Sequence, residues 1–552
     1  MHIGQKSIRG LRKAVKTMAA LALAAALAFP ALPLTAQAAA AGGDETSFTV
    51  RIVHTNDIHA RVAEDEKSGQ IGMARLSTII RDWTADADMK LVLDSGDLFH
   101  GQPIATLVQG GSVALLAQAC GYDAMTAGNH DWSYGKERLK ELADLAGMAM
   151  LTGNVADETG APFFDEAYCT REVTKDGQTL KVGVFGVIDP RMYGKTTPAN
   201  VEGLTFTDPA AYANQTAALL RAQGCDLVIA LSHTEQPAAL AGTVSGVDLW
   251  LCGHEHISLD TTVTAPDGKT AYVEEDGYYL QEAGLLELTC TLDAAGNITA
   301  LRCERQPVGA AQAAAAEPDA YTAALLDKIN EVEREVLDRK IGFSPEALDG
   351  TWEALRIGET ALGKAVADAY LLATGADAAF ENAGGIRASI AAGDVTYGDV
   401  IGVSPYGNYI VTKEVTGSAL KEILETSLEL QAQNAAANAS GDWDAWPEHS
   451  GSFLQVGGVT VTYDPSLESG SRILSLEIGG APYEPSKRYT VAVNNYMAVS
   501  ETYPQLAQAP VVGEFAACDE ALTAYFRQEN EAAADALRAP RLVAVSGASS
   551  PQ

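Results

Sequence analysis

The chain has 552 residues, and because 72 of them are acidic and only 38 are basic, its formal net charge at pH 7 is −34. Such acidity argues against binding to nucleic acid or to an anionic membrane surface, and it requires concentrated positive charge wherever a phosphate is bound. A chain of this length is expected to form at least two domains.

The amino-terminal segment has the pattern of a secretory signal peptide. Basic residues from Lys6 to Lys16 precede an apolar stretch from Met18 to Leu34, and Ala36-Gln37-Ala38 then offers the small residues of a cleavage site. The apolar stretch is short and is interrupted by prolines, which argues against a membrane anchor. We therefore expect residues 1–38 to be removed and the protein to be secreted into the extracellular space, the periplasm or the cell envelope, without stable membrane association.

Metal-ligating side chains are concentrated in five short segments of the first half. Each segment follows a predicted β-strand, and these strands are Phe48 to His54, Lys90 to Leu93, Asp123 to Thr126, Leu227 to Leu231 and Val247 to Cys252. The segments themselves are Asp57-Ile58-His59, Gly96-Asp97, Gly128-Asn129-His130-Asp131, Ser232-His233 and Gly253-His254-Glu255-His256. Because α/β folds place ligands at the carboxyl ends of strands, we expect the five segments to meet.

The residue types in these segments indicate paired divalent ions. Carboxylate, carboxamide and imidazole groups without thiolates suit Zn, Mn or Co. Asp57 and His59 are two residues apart, so an extended backbone would direct both side chains towards one ion. One such histidine alone is usually a hydrogen-bonded loop residue, and one Gly-Asp pair is usually a turn. The coincidence of five segments at the same kind of strand end is what predicts a centre of two metal ions.

The order D-x-H, G-D, G-N-H-[DE], S-H and G-H-x-H resembles that of the calcineurin-like metallophosphoesterases. With the motifs of its second half, the chain is similar to the secreted bacterial 5′-nucleotidases, a family that includes UDP-sugar hydrolases and 2′,3′-cyclic-nucleotide phosphodiesterases. The resemblance implies a first metal held by Asp57, His59, Asp97 and His256. It implies a second metal held by Asp97, which would bridge the two ions, and by Asn129, His233 and His254.

In the same family a histidine beside the phosphate stabilises its charge or protonates the leaving oxygen, and His130 takes that place here. Many members have an aspartate three residues later, where this chain has Ser133. A hydroxyl can accept a hydrogen bond from the imidazole but cannot stabilise an imidazolium as a carboxylate does. Asp131 is the other candidate for orienting the ring, so we assign His130 and Asp131 to the catalytic group.

The second half contains a glycine turn, Phe380 to Arg387, after a helix predicted from Leu362 to Thr374. Two adjacent glycines permit close backbone approach, and an arginine offers a planar fork to phosphate or sugar oxygens. A turn of this composition alone would be structural about as often as functional. The resemblance identifies it as the N-x-G-x-I-R substrate loop and implies that Asn382, Gly385 and Arg387 bind substrate. Arg356 and Lys364 are further candidates for phosphate contacts.

The family also stacks the nucleobase between two aromatic rings. The segment Ser404 to Asn408 matches the first position and implies Tyr406, whereas Asn495 to Tyr503 matches the second loosely and implies Tyr503. Family members usually have G-G-D-G before the second aromatic ring, and this chain has Ser500-Glu501-Thr502 there. The alternative for Tyr503 is that it only packs in the interior.

The expected fold class is a two-domain α/β protein. A four-layer α/β/β/α metallophosphoesterase sandwich would occupy residues 48–309, a linker with a helix residues 310–345, and an α/β substrate-binding domain residues 346–545. Within the last domain, residues 429–452 are interpreted as a surface insertion after a helix over residues 418–428. Cys290 and Cys303 flank a predicted hairpin turn and could form a disulfide after export.

The expected function is that of an exported phosphohydrolase with two divalent metal ions, which releases phosphate from nucleoside 5′-monophosphates by attack of metal-activated water. One alternative is a metallophosphoesterase for cyclic nucleotides, UDP-sugars or non-nucleotide phosphate esters. Another is a non-catalytic nucleotide-binding surface protein, which would be expected to have lost a metal ligand or His130. The partner is a small molecule in each case, and the sequence leaves the leaving group, the metal and the oligomeric state open.

Overall fold

The computed structural model of the protein describes residues 45–191, 196, 198–442, 445–528 and 537–545, so the predicted signal segment lies outside the described residues. The chain forms two compact units that divide close to residue 331, and residues 101–106 group with the second unit. The exact domain limits given above stay a prediction. No helix within the described ranges is long and apolar enough to span a membrane.

The first unit is built on two six-stranded sheets. Its strands are β1 (Thr46–Thr55), β2 (Met89–Asp94), β3 (Ala124–Met125), β4 (Ala149–Met150), β5 (Val155–Ala156), β6 (Tyr168–Lys175), β7 (Gln178–Ile188), β8 (Thr205–Phe206), β9 (Leu227–His233), β10 (Leu249–Gly253), β11 (Ser258–Thr264), β12 (Thr270–Asp276), β13 (Glu282–Leu292) and β14 (Ile298–Gly309). The strand orders of the sheets are β14-β13-β1-β2-β3-β4 and β11-β12-β10-β9-β7-β6, and β5 pairs with β8.

Helices connect the parallel strands of these sheets. They are α1 (Met73–Trp83), α2 (Pro103–Thr106, whose residues group with the second unit), α3 (Gly111–Cys120), α4 (Lys136–Ala146), α5 (Pro209–Ala222) and α6 (Pro237–Ala241). Helices α7 (Ala310–Ala313) and α8 (Ala320–Leu337) follow β14, and the point of division between the units falls within α8. Single 3₁₀ turns lie at His130–Tyr134 and Pro198–Val201.

The two sheets share one apolar core. Phe48, Val50 and Ile52 alternate along β1 and face it, and they pack in the same cluster as Val182 and Val184 of β7. This period of two is expected for a strand with one face in a core. On the other face of β7, a second cluster combines strand residues with the apolar side of α5. The predicted four-layer α/β/β/α arrangement is confirmed.

The second unit contains two sheets and a pair of strands. Its strands are β15 (Lys340–Ser344), β16 (Ala378–Asn382), β17 (Gly393–Thr396), β18 (Tyr409–Thr416), β19 (Leu454–Gly457), β20 (Val459–Tyr463), β21 (Ile473–Ile478), β22 (Ala481–Pro482), β23 (Arg488–Asn494), β24 (Val511–Ala517) and β25 (Leu542–Ala544). The strand orders are β19-β16-β23-β18-β24 in a mixed five-stranded sheet and β22-β21-β20-β25 in a four-stranded sheet, and β15 pairs with β17.

The helices of the second unit are α9 (Trp352–Ile357), α10 (Ala361–Thr374), α11 (Tyr397–Val403), α12 (Gly417–Ser440), α13 (Pro504–Gln508) and α14 (Cys518–Phe526), and 3₁₀ turns lie at Ala383–Gly385, Ser450–Ser452 and Met497–Val499. Helix α12 is longer than predicted. Residues 429–440, interpreted above as part of a surface insertion, continue the helix because they are rich in alanine and glutamine, which favour helices.

Cys290 and Cys303 do not form a disulfide in this structure. The register of β13 with β14 sets Cys290 opposite Leu301 and Cys303 opposite Leu288. The two cysteines are therefore offset by two residues across the hairpin. The pairing proposed from the sequence is wrong because the register of a hairpin depends on its turn and bulges rather than on spacing alone.

Candidate active site

The loop after β1 does not continue as an extended segment. Asp57 and His59 have φ values of 49° and 48°, in the left-handed region that side-chain-bearing residues rarely adopt. Their backbone N–H groups donate to the carbonyls of Gly96 and Asp97 at 2.9 and 2.8 Å. The expected extended geometry is thus wrong: the loop after β2 holds both residues in a tight turn.

Glycines allow the ligand-bearing loops to approach one another. Gly96 has a φ of 97°. A Cβ atom on Gly128 would lie 2.1 Å from Oδ1 of Asp97, and one on Gly253 would lie 2.9 Å from Oδ2 of Asp57. Neither position can accept a larger residue without moving a carboxylate, so both glycines belong to the packing of the site.

One cluster of candidate ligands consists of Asp57, His59 and His256, whose ligand atoms lie within 4.8 Å of one another. Oδ1 of Asp57 lies 3.2 Å from Nε2 of His256 and 3.9 Å from Nε2 of His59. The Nε2 atoms of the two histidines are 3.3 Å apart. Three ligand atoms of the predicted first metal site therefore face one point.

A second cluster is formed by Asp97 and His233 with Asp57. Nε2 of His233 lies 3.4 Å from Oδ2 of Asp97 and 3.2 Å from Oδ1 of Asn129. The ring of His254 lies edge-to-face with that of His233, with centroids 5.0 Å apart. Oδ2 of Asp97 is also 3.7 Å from Nε2 of His59, so this carboxylate lies between the two clusters.

Neighbouring groups orient these ligands from outside. Oδ2 of Asp57 accepts from the side chain of Asn56 at 2.8 Å and from the backbone N–H of His254 at 2.9 Å. Within the described ranges, its buried Oδ1 accepts no hydrogen bond of good geometry. Nδ1 of His233 donates to the carbonyl of Ser95 at 2.7 Å, and the other ring nitrogen, Nε2, therefore faces Asp97. Such a carboxylate oxygen among converging imidazole nitrogens fits a divalent cation.

The electrostatics of the clusters also fit cations. Burial alone would raise the pKa values of Asp57 and Asp97, but neighbouring imidazoles outweigh burial and lower both. Burial lowers the pKa of His59 well below its usual value, which favours the neutral ring that a metal needs. For His233 burial is outweighed by the charge of Asp97, which raises the pKa to about 10, so metal binding there displaces a proton.

His130 lies beside the candidate ligands. Its backbone N–H donates to Oδ1 of Asp97 at 2.7 Å. Its ring lies edge-to-face with His59 at a centroid distance of 5.1 Å and parallel to His100 at 5.6 Å. His100 was not predicted to lie at the site, although its position three residues after Asp97 is a signal that could have indicated it.

Two tyrosines that the sequence motifs did not predict border the first cluster. Tyr278 stacks on His256 with centroids 5.0 Å apart, and Tyr279 meets His59 edge-to-face at 5.5 Å. Tyr279 has a φ of 59°, and its N–H donates to the carbonyl of Asp57 at 2.7 Å. In the sequence, only Gly277-Tyr278-Tyr279 indicates these two rings. That segment does not show that the chain returns here to the loop of Asp57.

Asp131 does not orient His130, contrary to the sequence expectation. Its carboxylate is fully buried and accepts four backbone N–H groups. Oδ2 accepts from Asp97 and Gly128, both at 2.8 Å, and Oδ1 accepts from Leu98 and Phe99 at 3.0 and 2.9 Å. Burial, and then the nearby Asp97, raise the pKa of Asp131 to about 6. Asp131 therefore ties the loops after β2 and β3 together.

Replacing Asp131 with asparagine is expected to destabilise the protein by at least about 2 kcal/mol, because the amide nitrogen would face two of the four donors and leave them unpaired. The midpoint of thermal unfolding should fall, and bound metal should be lost. Asp144→Asn, at an exposed position in α4, is the matched control. An Asp131→Asn protein with the stability of the control would contradict the role in tying the loops.

The glycine turn of the second unit is held by a buried acid. Oε1 of Glu381 occupies the space that a Cβ atom on Gly385 would need, 1.8 Å away. Asn494 donates through Nδ2 to Oδ1 of Asn382 at 2.9 Å and also to the carboxylate of Glu381. Asn382 and Gly385 are thereby fixed at the carboxyl end of β16.

Two arginines lie near this turn. The guanidinium of Arg387 is 5.9 Å from the ring centroid of Tyr406, whose side chain is 43% exposed. The buried Arg356 stacks on Trp352 at 4.0 Å, and burial, then the charge of Arg387, lower its pKa to about 10. Among the described residues neither arginine forms an ion pair with a carboxylate, so both charges remain available for an anion.

Comparison with known proteins gives two domain matches. Residues 50–258 match the calcineurin-like phosphoesterase family, and residues 340–508 match the 5′-nucleotidase C-terminal domain. The chain belongs to the calcineurin-like phosphoesterases that carry a 5′-nucleotidase C-terminal domain. The two matches include every segment that carries a candidate metal ligand and the glycine turn of the second unit.

Individual relatives align with most of the chain. It is 27% identical to the trifunctional nucleotide phosphoesterase of Bacillus subtilis (strain 168) over 82% of its own length, but spans only 32% of that protein. It is 27% identical to the 5′-nucleotidase of Diplobatis ommata, with 83% of each chain covered. The crystal structure of a 5′-nucleotidase precursor from Thermus thermophilus has 27% identity and a TM-score of 0.52, covering 91% of this chain and 100% of that one.

Two residues of the second unit lie where they cannot take the roles expected of them. Tyr503 is only 1% exposed, lies in the apolar core, and donates its hydroxyl to the carbonyl of Ser452 at 2.6 Å. A ring with no exposed face cannot stack on a nucleobase, so the expectation for Tyr503 is contradicted. The ammonium of Lys364 donates to the carbonyl of Ala539 at 3.0 Å and is buried, so it is not a phosphate contact.

Proposed function

We propose that the protein is an exported phosphohydrolase with two divalent metal ions, and that it releases phosphate from nucleoside 5′-monophosphates. The position of Asp97 is the observation that carries the proposal, because one of its oxygens lies 3.4 Å from His233 and 3.7 Å from His59. A carboxylate between two histidine clusters is suited to bridge two ions. Bound Zn, Mn or Co would polarise the phosphoryl oxygens and lower the pKa of water.

The side chains of the protein take separate parts in this reaction. Asp57, His59, Asp97 and His256 would hold one ion, and Asp97, Asn129, His233 and His254 the other. His130 would hold or give a proton at the leaving oxygen. Arg387 and Arg356 would bind phosphate oxygens. Asn382 and Gly385 would bind substrate with them and shape the glycine turn that carries Arg387. The exposed ring of Tyr406 offers a face for a nucleobase.

A panel assay tests the proposal. Phosphate release is measured from AMP, a 2′,3′-cyclic nucleotide, a UDP-sugar and p-nitrophenyl phosphate, after treatment with a chelator and addition of Zn, Mn or Co one at a time. Highest kcat/KM for AMP supports the proposal. Activity on the cyclic nucleotide or UDP-sugar without AMP hydrolysis would support the alternative of a different phosphoesterase, for which the multiple activities named for the Bacillus subtilis relative are the motivating observation. Nucleotide binding without hydrolysis would indicate a binding protein.

Export of the protein is tested separately from its catalytic activity. Secretion is proposed from the amino-terminal pattern alone, and fractionation of cells that produce the full chain tests it. The substrate is proposed to be a free small molecule, because the acidic chain repels polyanions outside its cationic sites. Retention of the protein in the cytoplasm would contradict export without affecting the catalytic proposal.

Tyr406→Ala is expected to raise KM for AMP about tenfold, since stacking of a base on an aromatic ring contributes about 1 to 3 kcal/mol. The kcat/KM for p-nitrophenyl phosphate, which has no base, should remain almost unchanged. Phe343→Ala removes another exposed aromatic ring of the second unit and serves as control. Equal losses on both substrates would mean that Tyr406 shapes the unit rather than a base-binding surface.

A further inference from the structure

A network of buried polar side chains lies next to the candidate metal centre in the first unit. His54, Ser95 and Asp276 have no exposed surface, and the side chain of Arg305 is 4% exposed. None of these residues is a candidate metal ligand. Burying so many polar groups is unfavourable unless each is hydrogen-bonded. The hydrogen bonds of these four residues therefore show what the network holds in place.

The hydrogen bonds fix the orientation of His54. The hydroxyl of Ser95 has one proton, and it donates that proton to the carbonyl of Leu251 at 2.7 Å. It must therefore accept from Nε2 of His54, which lies 2.9 Å away. Nδ1 of His54 lies 2.5 Å from Oδ2 of Asp276. The imidazole thus bridges a carboxylate and a hydroxyl.

The other side of the network is anchored equally firmly. Oδ1 of Asp276 accepts from Nε and Nη2 of Arg305 at 3.0 and 2.5 Å. A Cβ atom on Gly284 would lie 2.3 Å from Oδ2 of Asp276. Since His54 and Gly284 are paired across β1 and β13, the glycine leaves the space into which the carboxylate enters. Asp276 can therefore hold His54 in one position.

Ser95 connects this network to a candidate ligand. Its hydroxyl is held by His54, and its carbonyl accepts from Nδ1 of His233 at 2.7 Å. That hydrogen bond directs Nε2 of His233 towards Asp97. Groups that accept from the second nitrogen of a metal-binding histidine set its tautomer and ring orientation.

We propose that His54 is a positioning residue of the metal centre: it holds Ser95 through its hydroxyl, and the carbonyl of Ser95 holds the ring of His233 in the metal-binding orientation. Arg305 and Asp276 fix His54 from the other side. The inference rests on the assignment of His233 as a ligand in the proposed function. It extends the site by one hydrogen-bonded chain, from Arg305 to His233.

The test is a double-mutant cycle on metal affinity. His54→Gln, Ser95→Ala and the double variant are compared with the wild type by competition for Zn with a chelator. Each single change should weaken Zn binding about 10- to 100-fold, the range for residues that orient a ligand. If His54 acts through Ser95, the double variant should be no weaker than Ser95→Ala alone, because the two changes interrupt the same chain.

Asp248→Asn is the matched control. Asp248 accepts from Arg221 and from the N–H of Val228 at 2.5 and 2.8 Å, but it lies at the start of β10, opposite the end that carries the ligands. The Asp248→Asn substitution should lower the unfolding temperature of the metal-free protein without changing its affinity for Zn. His54→Gln and Ser95→Ala should change affinity by more than any loss of stability accounts for.

The outcomes separate this inference from the proposed function. Unchanged Zn affinity in both single variants, or losses that add fully in the double variant, would overturn the role of His54. If His54→Gln does not fold, Ser95→Ala, which removes only the hydroxyl, decides the question by the same affinity measurement. A wild-type protein that binds no Zn, Mn or Co would instead overturn the proposed function, and this inference with it.

Discussion

Asp97→Asn is expected to remove bound metal and nearly all phosphate release while the fold is retained. The substitution removes a negative charge between the two clusters, where Oδ2 faces His233 and His59. It leaves an oxygen that can still accept from the backbone N–H of His130. Metal affinity should fall by more than the roughly 10- to 100-fold typical of residues that only orient a ligand.

Metal content after dialysis against a fixed concentration of free Zn, together with kcat for the best substrate, measures this effect. Circular dichroism during heating shows whether the fold remains. The exposed Asp144→Asn again serves as the control for loss of a carboxylate. Full activity with both metals retained would mean that Asp97 is not a bridging ligand, and the assignment of the centre would have to be abandoned.

His130→Asn should lower kcat by about 10² to 10⁴ with metal content unchanged, the range for loss of a general acid or of an electrostatic contact. The backbone hydrogen bond from residue 130 to Asp97 does not depend on the side chain, so the metal centre should be preserved. The imidazole that lies between His59 and His100 would be lost.

The measurements for His130→Asn are kcat, KM and metal content on the same preparation. The exposed histidine of the second unit, His449, gives the matched control His449→Asn, which should behave as the wild type. Loss of metal in proportion to the loss of activity would identify His130 as a ligand rather than a catalytic residue.

The sequence predicted the strands of the first unit and the loops at their ends well because both signals are local. An apolar run predicts a strand, and a short polar segment with glycine predicts the loop at its end, as for Asp97 after β2 and His233 at the end of β9. The left-handed backbone of Asp57 and His59 could not be predicted in this way. It depends on hydrogen bonds to Gly96 and Asp97, about forty positions away in the chain.

The remaining errors have related causes. Asp131 has the residue type of a catalytic acid, but the four N–H groups that surround it come from two loops and become adjacent only in the folded chain. Tyr503 follows a segment without the expected glycines, and the path of the backbone there turns its ring into the core. Cys290 and Cys303 are misaligned by the register of their hairpin. Each error concerns an arrangement set by non-local contacts.

The carboxylate of Asp131 has a consequence for how the protein is supplied with metal. By gathering N–H groups from the loops after β2 and β3, it holds Asp97 and Asn129 in place through the polypeptide alone. We expect ion uptake to require little ordering of the chain, unlike in small zinc domains that fold only around their ion. Cations can then be exchanged after the protein has folded, and the local abundance of each ion would select among Zn, Mn and Co.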